Sequence, residues 1–180
     1  MINDVLAQSF ANELNVDHQQ WQPAVVYING EYWGIYHVLE KVNRKYLHYH
    51  HACGTDDIDM VNENFIALKG NSQSYNALFK FAKENDLREV ENYQHVISQI
   101  DLESYIDYYI LETFFTNVDW PRRNIKAWKS TETGKWRWIF YDLDFSFGLT
   151  NQNFIKRAMG EAKVQSSDFL NNGILFKALM

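Results

Sequence analysis

Four polar side chains in the second half of the chain have types and spacing that suit phosphate chemistry. Asp119 and Asn124 flank Pro121, which ends an apolar helical segment and forces a loop. Asp142 and Asp144 follow a run of strand residues, so they stand at a strand end. Carboxylate and amide oxygens bind Mg²⁺ beside phosphate oxygens. The stretch therefore predicts a divalent-metal and phosphate site.

Two strands joined by a turn are needed to position these groups. An alternating segment at residues 125–128 precedes a turn at Gly134 and a second, Trp-rich strand. The pair predicts a hairpin whose open end brings Asp119, Asn124 and Asp142 together. The alternative is structural: the first two residues cap the loop after the helix, and the third ends its strand in a turn.

Apolar residues recur at helical spacing before this hairpin. We expect a first helix, capped by Asn3 or Asp4, and helices over residues 75–85, 87–100 and 102–116. The predicted inward residues of the first helix are Val5, Leu6, Phe10 and Leu14. Those of the second are Tyr75, Leu78, Phe79 and Ala82. The last helix is apolar on most sides, so we predict that it is buried and supports the loop of Asp119.

An earlier hairpin is predicted around Asn29-Gly30, because this dipeptide between β-rich runs favours a two-residue turn. Gly34 in its second strand predicts a bulge or a close approach. Glu40 ends that strand and is either a surface or capping carboxylate or a carboxylate directed into a cleft. The turn that begins at Lys69-Gly70 has a weak resemblance to a phosphate loop.

Composition limits the classes of function. The chain has 180 residues, 46% of them hydrophobic and 16% aromatic, which indicates one packed domain. The net charge of -6 argues against general binding to nucleic acid or acidic membranes. A single cysteine excludes a disulfide within the chain, and no apolar run approaches the roughly 20 residues that span a bilayer. The fold class predicted is α+β, with β-hairpins packed on a helical bundle.

Three segments together resemble the CotH kinase family, the atypical protein kinases similar to spore coat protein H. These segments are residues 26–41, 117–124 and 134–148. The resemblance covers nearly the whole chain and implies a reduced protein-kinase-like fold. It also implies binding of ATP with Mg²⁺ or Mn²⁺ and phosphorylation of Ser or Thr hydroxyls on a protein substrate. We expect one domain over residues 1–180 that is incomplete at both termini.

The resemblance assigns a role to each polar group of the opening stretch. Asp119 matches the catalytic-loop acid, and Asn124 matches the metal-binding asparagine of that loop. Asp142 matches the metal-binding acid that begins the DFG-type motif, and Asp144 competes with it for that place. An aspartate of the first kind orients the acceptor hydroxyl and takes its proton, while the others hold the cations that neutralise the phosphates.

The nucleotide contacts are less defined. Trp136 or Trp138 could stack on adenine, with packing in the core or on the surface as the alternative for either. Glu40 is a candidate cleft carboxylate. The resemblance places a phosphate-contacting lysine in a segment before the first helix, and this chain begins after it. That role is then vacant or falls to Lys41 or Lys69.

Two other hypotheses stay open from the sequence. One is a coat or surface scaffold that keeps the fold without catalysis and binds through its aromatic surface. The other is a metal-dependent hydrolase or nuclease that uses Asp142 and Asp144. Residues 149–167, which include Lys156 and Arg157, predict a mobile surface segment or cleft lid. The bacterial cytoplasm, the spore coat and the cell surface are all compatible locations.

Overall fold

Helices and strands are mixed along the chain. The computed structural model describes residues 2–131, 134–148, 153–159 and 167–180. Its helices are α1 (Ile2–Ala11), α2 (Arg44–His51), α3 (Gln73–Glu84), α4 (Val90–Gln99), α5 (Leu102–Phe114), α6 (Phe154–Ala158) and α7 (Ser167–Leu179). Its strands are β1 (Asp17–His18), β2 (Trp21–Ile28), β3 (Glu31–Leu39), β4 (Ile58–Asn62), β5 (Ala67–Lys69), β6 (Lys126–Ser130) and β7 (Arg137–Phe140). The α+β prediction is confirmed. Among the described residues, no helix is long and apolar enough to cross a membrane.

One five-stranded sheet forms the centre of the molecule, in the order β1-β7-β6-β4-β5. Strand β1 runs parallel to β7, and the other neighbours are antiparallel. The predicted hairpin is β6 and β7, paired at Ala127 with Trp138, and Gly134 has the positive φ of +69° that a turn glycine permits. The pairing of β6 with β7 therefore fixes the relative positions of the strand ends next to which the candidate site residues lie.

Both faces of this sheet are covered. Trp136 and Trp138 share one face, because residues two apart on a strand point the same way. Trp136 packs 4.8 Å from Tyr75 of α3, and Trp138 packs 4.4 Å from Tyr105 of α5. On the opposite face Ile139 belongs to a smaller cluster that includes side chains of α2. The inner strands of the sheet are therefore buried on both faces.

Helix α5 supports the loop of Asp119, but only part of its surface is buried. Tyr105 and Tyr108 face the core. Ile106, Ile110 and Phe114 form an apolar stripe that is 48%, 54% and 69% exposed. The prediction of burial on most sides is wrong for this stripe. Helical periodicity shows that a face is apolar, whereas its burial depends on whether another element packs there.

The predicted inward face of α1 is also wrong in part. Val5 is buried as expected, but Leu6, Phe10 and Leu14 are exposed. Gln8 is buried instead, because its side-chain amide donates to the carbonyl oxygen of Phe140 at 3.2 Å. A long-range polar contact at the end of β7 thus sets the rotation of this helix.

The early hairpin, β2 and β3, forms a separate two-stranded sheet. Asn29 and Gly30 have φ values of 51° and 86°, as the two-residue turn requires. Gly34 has a φ of 139°, and the register shifts opposite it, so the predicted irregularity is confirmed. Apolar side chains are exposed on both faces of this sheet: Ile35 is 68% and Val38 is 54% exposed, and residues three apart on a strand point to opposite faces.

A buried ionic network connects β1 to the rest of the sheet. The Asp17 carboxylate accepts from Trp128 Nε1 at 2.6 Å and from Arg137 Nε at 3.1 Å, and a ring nitrogen of His51 lies 2.8 Å away. Arg137 also donates to Asp101 at the start of α5. Burial alone would raise the pKa of Asp17, but the hydrogen bond from His51 and the charge of Arg137 outweigh it and lower the pKa.

We expect Asp17→Ala to lower the free energy of unfolding by about 3 kcal/mol, because it leaves Arg137 buried with one carboxylate partner fewer. Since the Asp17 pKa is lowered on folding, its stabilisation is present above the ordinary value of 3.8 and disappears as the pH falls through the folded pKa. Urea melts at neutral pH and in acid measure both effects. Asp56→Ala, which removes an exposed ion pair with Lys69, is the control and should leave the melt unchanged. An equal loss in both variants would contradict a special role for the buried network.

Candidate active site

Two loops meet at one end of the sheet, the loop after α5 and the turn after β7. The amide of Val118 donates to the carbonyl of Phe145 at 3.3 Å, and the amide of Phe147 donates to the carbonyl of Phe115 at 2.7 Å. These two backbone bonds hold the loop that carries Asp119 against the turn that follows β7.

Asn124 joins the same group. Its side-chain amide donates to the backbone carbonyl of Asp142 at 3.1 Å. Both residues have a φ of 60°, in the left-handed region that asparagine and aspartate tolerate better than other non-glycine residues. The structure thus brings the loop asparagine to the strand-end acid, as the spacing of the hairpin predicts.

The acids of these loops lie within electrostatic range of one another. The pKa of Asp142 is raised, first by burial and then by the negative charge and hydrogen bonding of Asp144. Asp4 and Asp119 raise it further. Carboxylates so arranged repel one another when ionised, and a cation between them would remove that repulsion.

The first turns of α1 hold the turn after β7 at three backbone points. Asn3 donates from its side chain to the carbonyl of Ser146 at 3.1 Å, and the amide of Leu143 donates to Asp4 Oδ1 at 3.3 Å. The bond from Gln8 to Phe140 is the third. Burial raises the pKa of Asp4. The sequence predicts only helix caps for Asn3 and Asp4, since contacts across more than a hundred residues leave no local pattern.

Beneath the two loops is a buried polar pair. Glu112 of α5 is 0% exposed and accepts a hydrogen bond from Asn117 Nδ2 at 3.0 Å. Burial raises the pKa of the Glu112 carboxyl well above its ordinary value, and the charge of Asp142 adds to this. In the described part of the chain, Glu112 Oε1 and Asn117 Oδ1 have no hydrogen-bond partner. No sequence pattern distinguishes the buried Glu112 from a glutamate on the solvent-exposed face of a helix.

We expect Glu112→Gln to raise the melting temperature of the metal-free protein by a few degrees at about pH 8. Because the Glu112 pKa is raised on folding, ionisation destabilises the folded state as the pH rises above the ordinary value of 4.5. Glutamine keeps the acceptor for Asn117 and carries no charge, so the difference should shrink toward about pH 5. Thermal melts over this pH range measure it. Glu91→Gln, an exposed change on α4, is the control, and equal curves for both variants would contradict the prediction.

A lysine that the sequence analysis did not single out lies beside the acids. Lys126 Nζ is 4.1 Å from the centre of the Tyr141 ring, next to Asp142. Burial lowers the pKa of Lys126, while the charges of Asp142 and Glu63 oppose that change. Lys41 also lies within electrostatic range of Lys126. The position of Lys126 two residues after Asn124 is the sequence signal that could have identified this lysine.

Two other candidate residues lie elsewhere. Lys69 is on the edge strand β5, pairs with Asp56 at 2.8 Å, and is opposite Met60, whose other neighbour is Trp128. This register lies two residues along β4 from Asn62, which pairs with Lys126, and β4 stands between the strands of the two lysines. No described contact therefore brings Lys69 to the acids.

Glu40 lies at the foot of the β2–β3 hairpin. One carboxylate oxygen accepts from the amide of Gln20 at 3.0 Å, and a ring nitrogen of His50 lies 2.9 Å from the other. Glu40 is thus a partly exposed link between the hairpin and α2. Trp136 is 1% exposed, so the packing alternative describes its position in this structure, and the same holds for Trp138.

The side chains at the loop ends suit a metal–phosphate centre better than a metal site formed by protein ligands alone. Among the described residues, no three His, Cys, Asp or Glu side chains converge to hold an ion. Mg²⁺, however, is commonly bound through one or two carboxylates together with waters and substrate phosphates. Asp142 and Asp144 are two carboxylates that could serve in this way, and Asn124 beside them could add an amide oxygen.

An acid and an asparagine on one loop, with a second acid after the adjoining strand, is the arrangement that protein kinases use. The family model described as CotH kinase protein matches residues 1–180, the whole chain. The chain therefore belongs to the CotH kinase family, and a kinase-type function in general follows from that membership. No curated protein matches it.

Proposed function

We propose that this protein transfers the γ-phosphoryl group of ATP to Ser or Thr hydroxyls of a protein substrate, with Mg²⁺ or Mn²⁺. The observation that carries the proposal is the crowding of acids around Asp142, whose pKa is raised by burial and then by the charges of Asp144, Asp4 and Asp119. Such a site is unfavourable without a cation and becomes favourable with one. The hydrogen bond from the Asn124 side chain to the backbone carbonyl of Asp142 supports it, since it holds the loop asparagine beside the strand-end acid.

Each residue then has one task. Asp119 orients the acceptor hydroxyl and takes its proton as the new phosphate ester bond forms. Asn124, Asp142 and Asp144 supply oxygen ligands for the cation, and the cation when bound neutralises the phosphate oxygens. ADP leaves with the electron pair of the bond that breaks. Lys126 and Lys41 supply positive charge at the edge of the acids, where the β- and γ-phosphates need it.

The test is thermal denaturation of the chain with ATP and Mg²⁺ or Mn²⁺, followed by transfer of labelled γ-phosphate to a mixed protein acceptor. A ligand that binds only the folded state raises the melting temperature by an amount that depends on its concentration relative to Kd. We expect a shift that needs both nucleotide and metal, with labelled phosphoserine or phosphothreonine as product. Release of inorganic phosphate without labelled protein would favour a hydrolase, and no shift with either metal would reject the proposal.

The second candidate is a scaffold that keeps this fold and binds a partner without catalysis. The exposed aromatic and β-branched side chains on both faces of the β2–β3 hairpin favour it, because apolar surface of this extent is typical of interaction sites. The same experiment separates the two, since a scaffold shows neither a nucleotide-dependent shift nor transfer.

A further inference from the structure

Helix α6 carries a buried cation that the proposed function has not used. Arg157 is 9% exposed, although it belongs to a segment that the sequence predicts as a mobile surface or lid. Its Nε donates to the carbonyl of Trp120 at 3.1 Å, and its terminal nitrogen Nη2 donates to the carbonyl of Val118. The surface prediction is therefore wrong for Arg157, whereas Lys156 beside it is exposed as expected; residues 149–152 and 160–166 lie outside the described residues.

The two acceptors of Arg157 lie on either side of Asp119. One guanidinium thus holds the carbonyl oxygens of the residues immediately before and after the proposed catalytic acid. On the other side of the loop, the amide of Arg123 donates to the carbonyl of Asp119 at 2.9 Å. The loop backbone is irregular, with Thr116 at a φ of 51°, so hydrogen bonds of this kind must hold it in place of a helix or a strand.

The residue type matches the task. A guanidinium is planar and has five N–H donors in a rigid arrangement, so it bonds two separated carbonyl oxygens at once. A lysine ammonium is a point charge on a flexible stem and holds one such geometry less well. Helix α6, which carries Arg157, is itself held in place by contacts with both α5 and α7.

We propose that Arg157 is a positioning residue that holds the Asp119 loop in the geometry for phosphoryl transfer. The inference rests on the proposed function. Its consequence is selective: Arg157 acts on the acid that receives the acceptor hydroxyl, and not on Asn124 or Asp142, which hold the cation. Losing Arg157 should therefore lower turnover far more than it weakens nucleotide binding.

The experiment compares Arg157→Ala and Arg157→Lys with Lys156→Ala, an exposed neighbour on the same helix. We expect Arg157→Ala to lower kcat about 100-fold, the cost of displacing a reacting group by about 1 Å. The Kd for Mg²⁺-ATP, from thermal shift, should stay within about twofold. The kcat of Arg157→Lys should lie between those of the wild-type chain and Arg157→Ala. Added methylguanidine should restore part of the kcat that Arg157→Ala loses. Lys156→Ala should behave as the wild-type chain does.

Hydrogen exchange supplies a measurement that does not depend on activity. Amides of residues 118–120 should exchange faster in Arg157→Ala, while those of β6 and β7 stay protected. Unchanged exchange in that loop, or a parallel loss of kcat and nucleotide affinity, would overturn the positioning role even if the wild-type chain is active. A wild-type chain that neither binds Mg²⁺-ATP nor transfers phosphate overturns the proposed function, and the catalytic role of Arg157 with it. If Arg157→Ala does not fold, Arg157→Lys carries the same comparisons.

Discussion

Asp142→Asn should abolish metal-dependent phosphoryl transfer while making the metal-free protein more stable. The loss in kcat/KM should be about 10³-fold or more, because the variant removes a charge that we propose holds the cation on the phosphates. The gain in stability has a separate cause: Asp144, Asp4 and Asp119 repel the ionised Asp142 carboxylate. Asparagine suits this position, since it tolerates the φ of 60° and keeps the backbone carbonyl that Asn124 contacts.

Melting curves against pH test the stability half of this prediction. The pKa of Asp142 is raised on folding. The metal-free wild-type chain should therefore lose stability as the pH rises from 3.8, the ordinary pKa of an aspartate, to the pKa of Asp142 in the folded state. Asp142→Asn should lack that part of the decline and should show no Mg²⁺-ATP shift. A variant with the wild-type rate, or one less stable than wild type at neutral pH, would contradict the assignment. Asp144→Asn, examined in parallel, shows which of the two carboxylates contributes more to cation binding.

Asp119→Asn should lower turnover by about 10²–10⁴-fold and leave nucleotide binding intact. General-base assistance contributes a factor of this size, and asparagine cannot accept the proton of the acceptor hydroxyl. Asp119 stands on the loop after α5, whereas Asn124 and Asp142 are joined by their own hydrogen bond. The proposed cation ligands should therefore stay in place in the variant.

Steady-state rates and the Mg²⁺-ATP thermal shift measure the two effects of Asp119→Asn in one preparation. The expected pattern is a low kcat with an unchanged shift, the opposite of Asp142→Asn, which should lose both. If Asp119→Asn also loses the shift, Asp119 is a cation ligand and not the proton acceptor. If it retains the full rate, another group takes the proton.

Local pattern was sufficient for most elements of this protein. The buried residues predicted for α3 are the buried residues observed: Tyr75, Leu78, Phe79 and Ala82. Asn29-Gly30 forms its turn, and the β6–β7 hairpin joins Asn124 to the end of β7. Each of these follows from residues close together in the chain, because helical spacing, turn conformation and strand alternation are short-range properties.

The sequence by itself thus determined the element types, the acid–asparagine–acid spacing and the family, whereas the tertiary structure alone decided which side chains support the site. Gln8 and Asp4 contact the turn after β7 across 132 and 139 positions, and Arg157 reaches Trp120 across 37. Glu112 is fully buried, and it accepts a hydrogen bond from Asn117 of the loop that follows α5. Such roles depend on which surfaces pack together. Helical periodicity predicts that Leu6 and Phe10 are buried, but both are exposed. Arginine is mostly found at protein surfaces, but the packing of α6 buries Arg157.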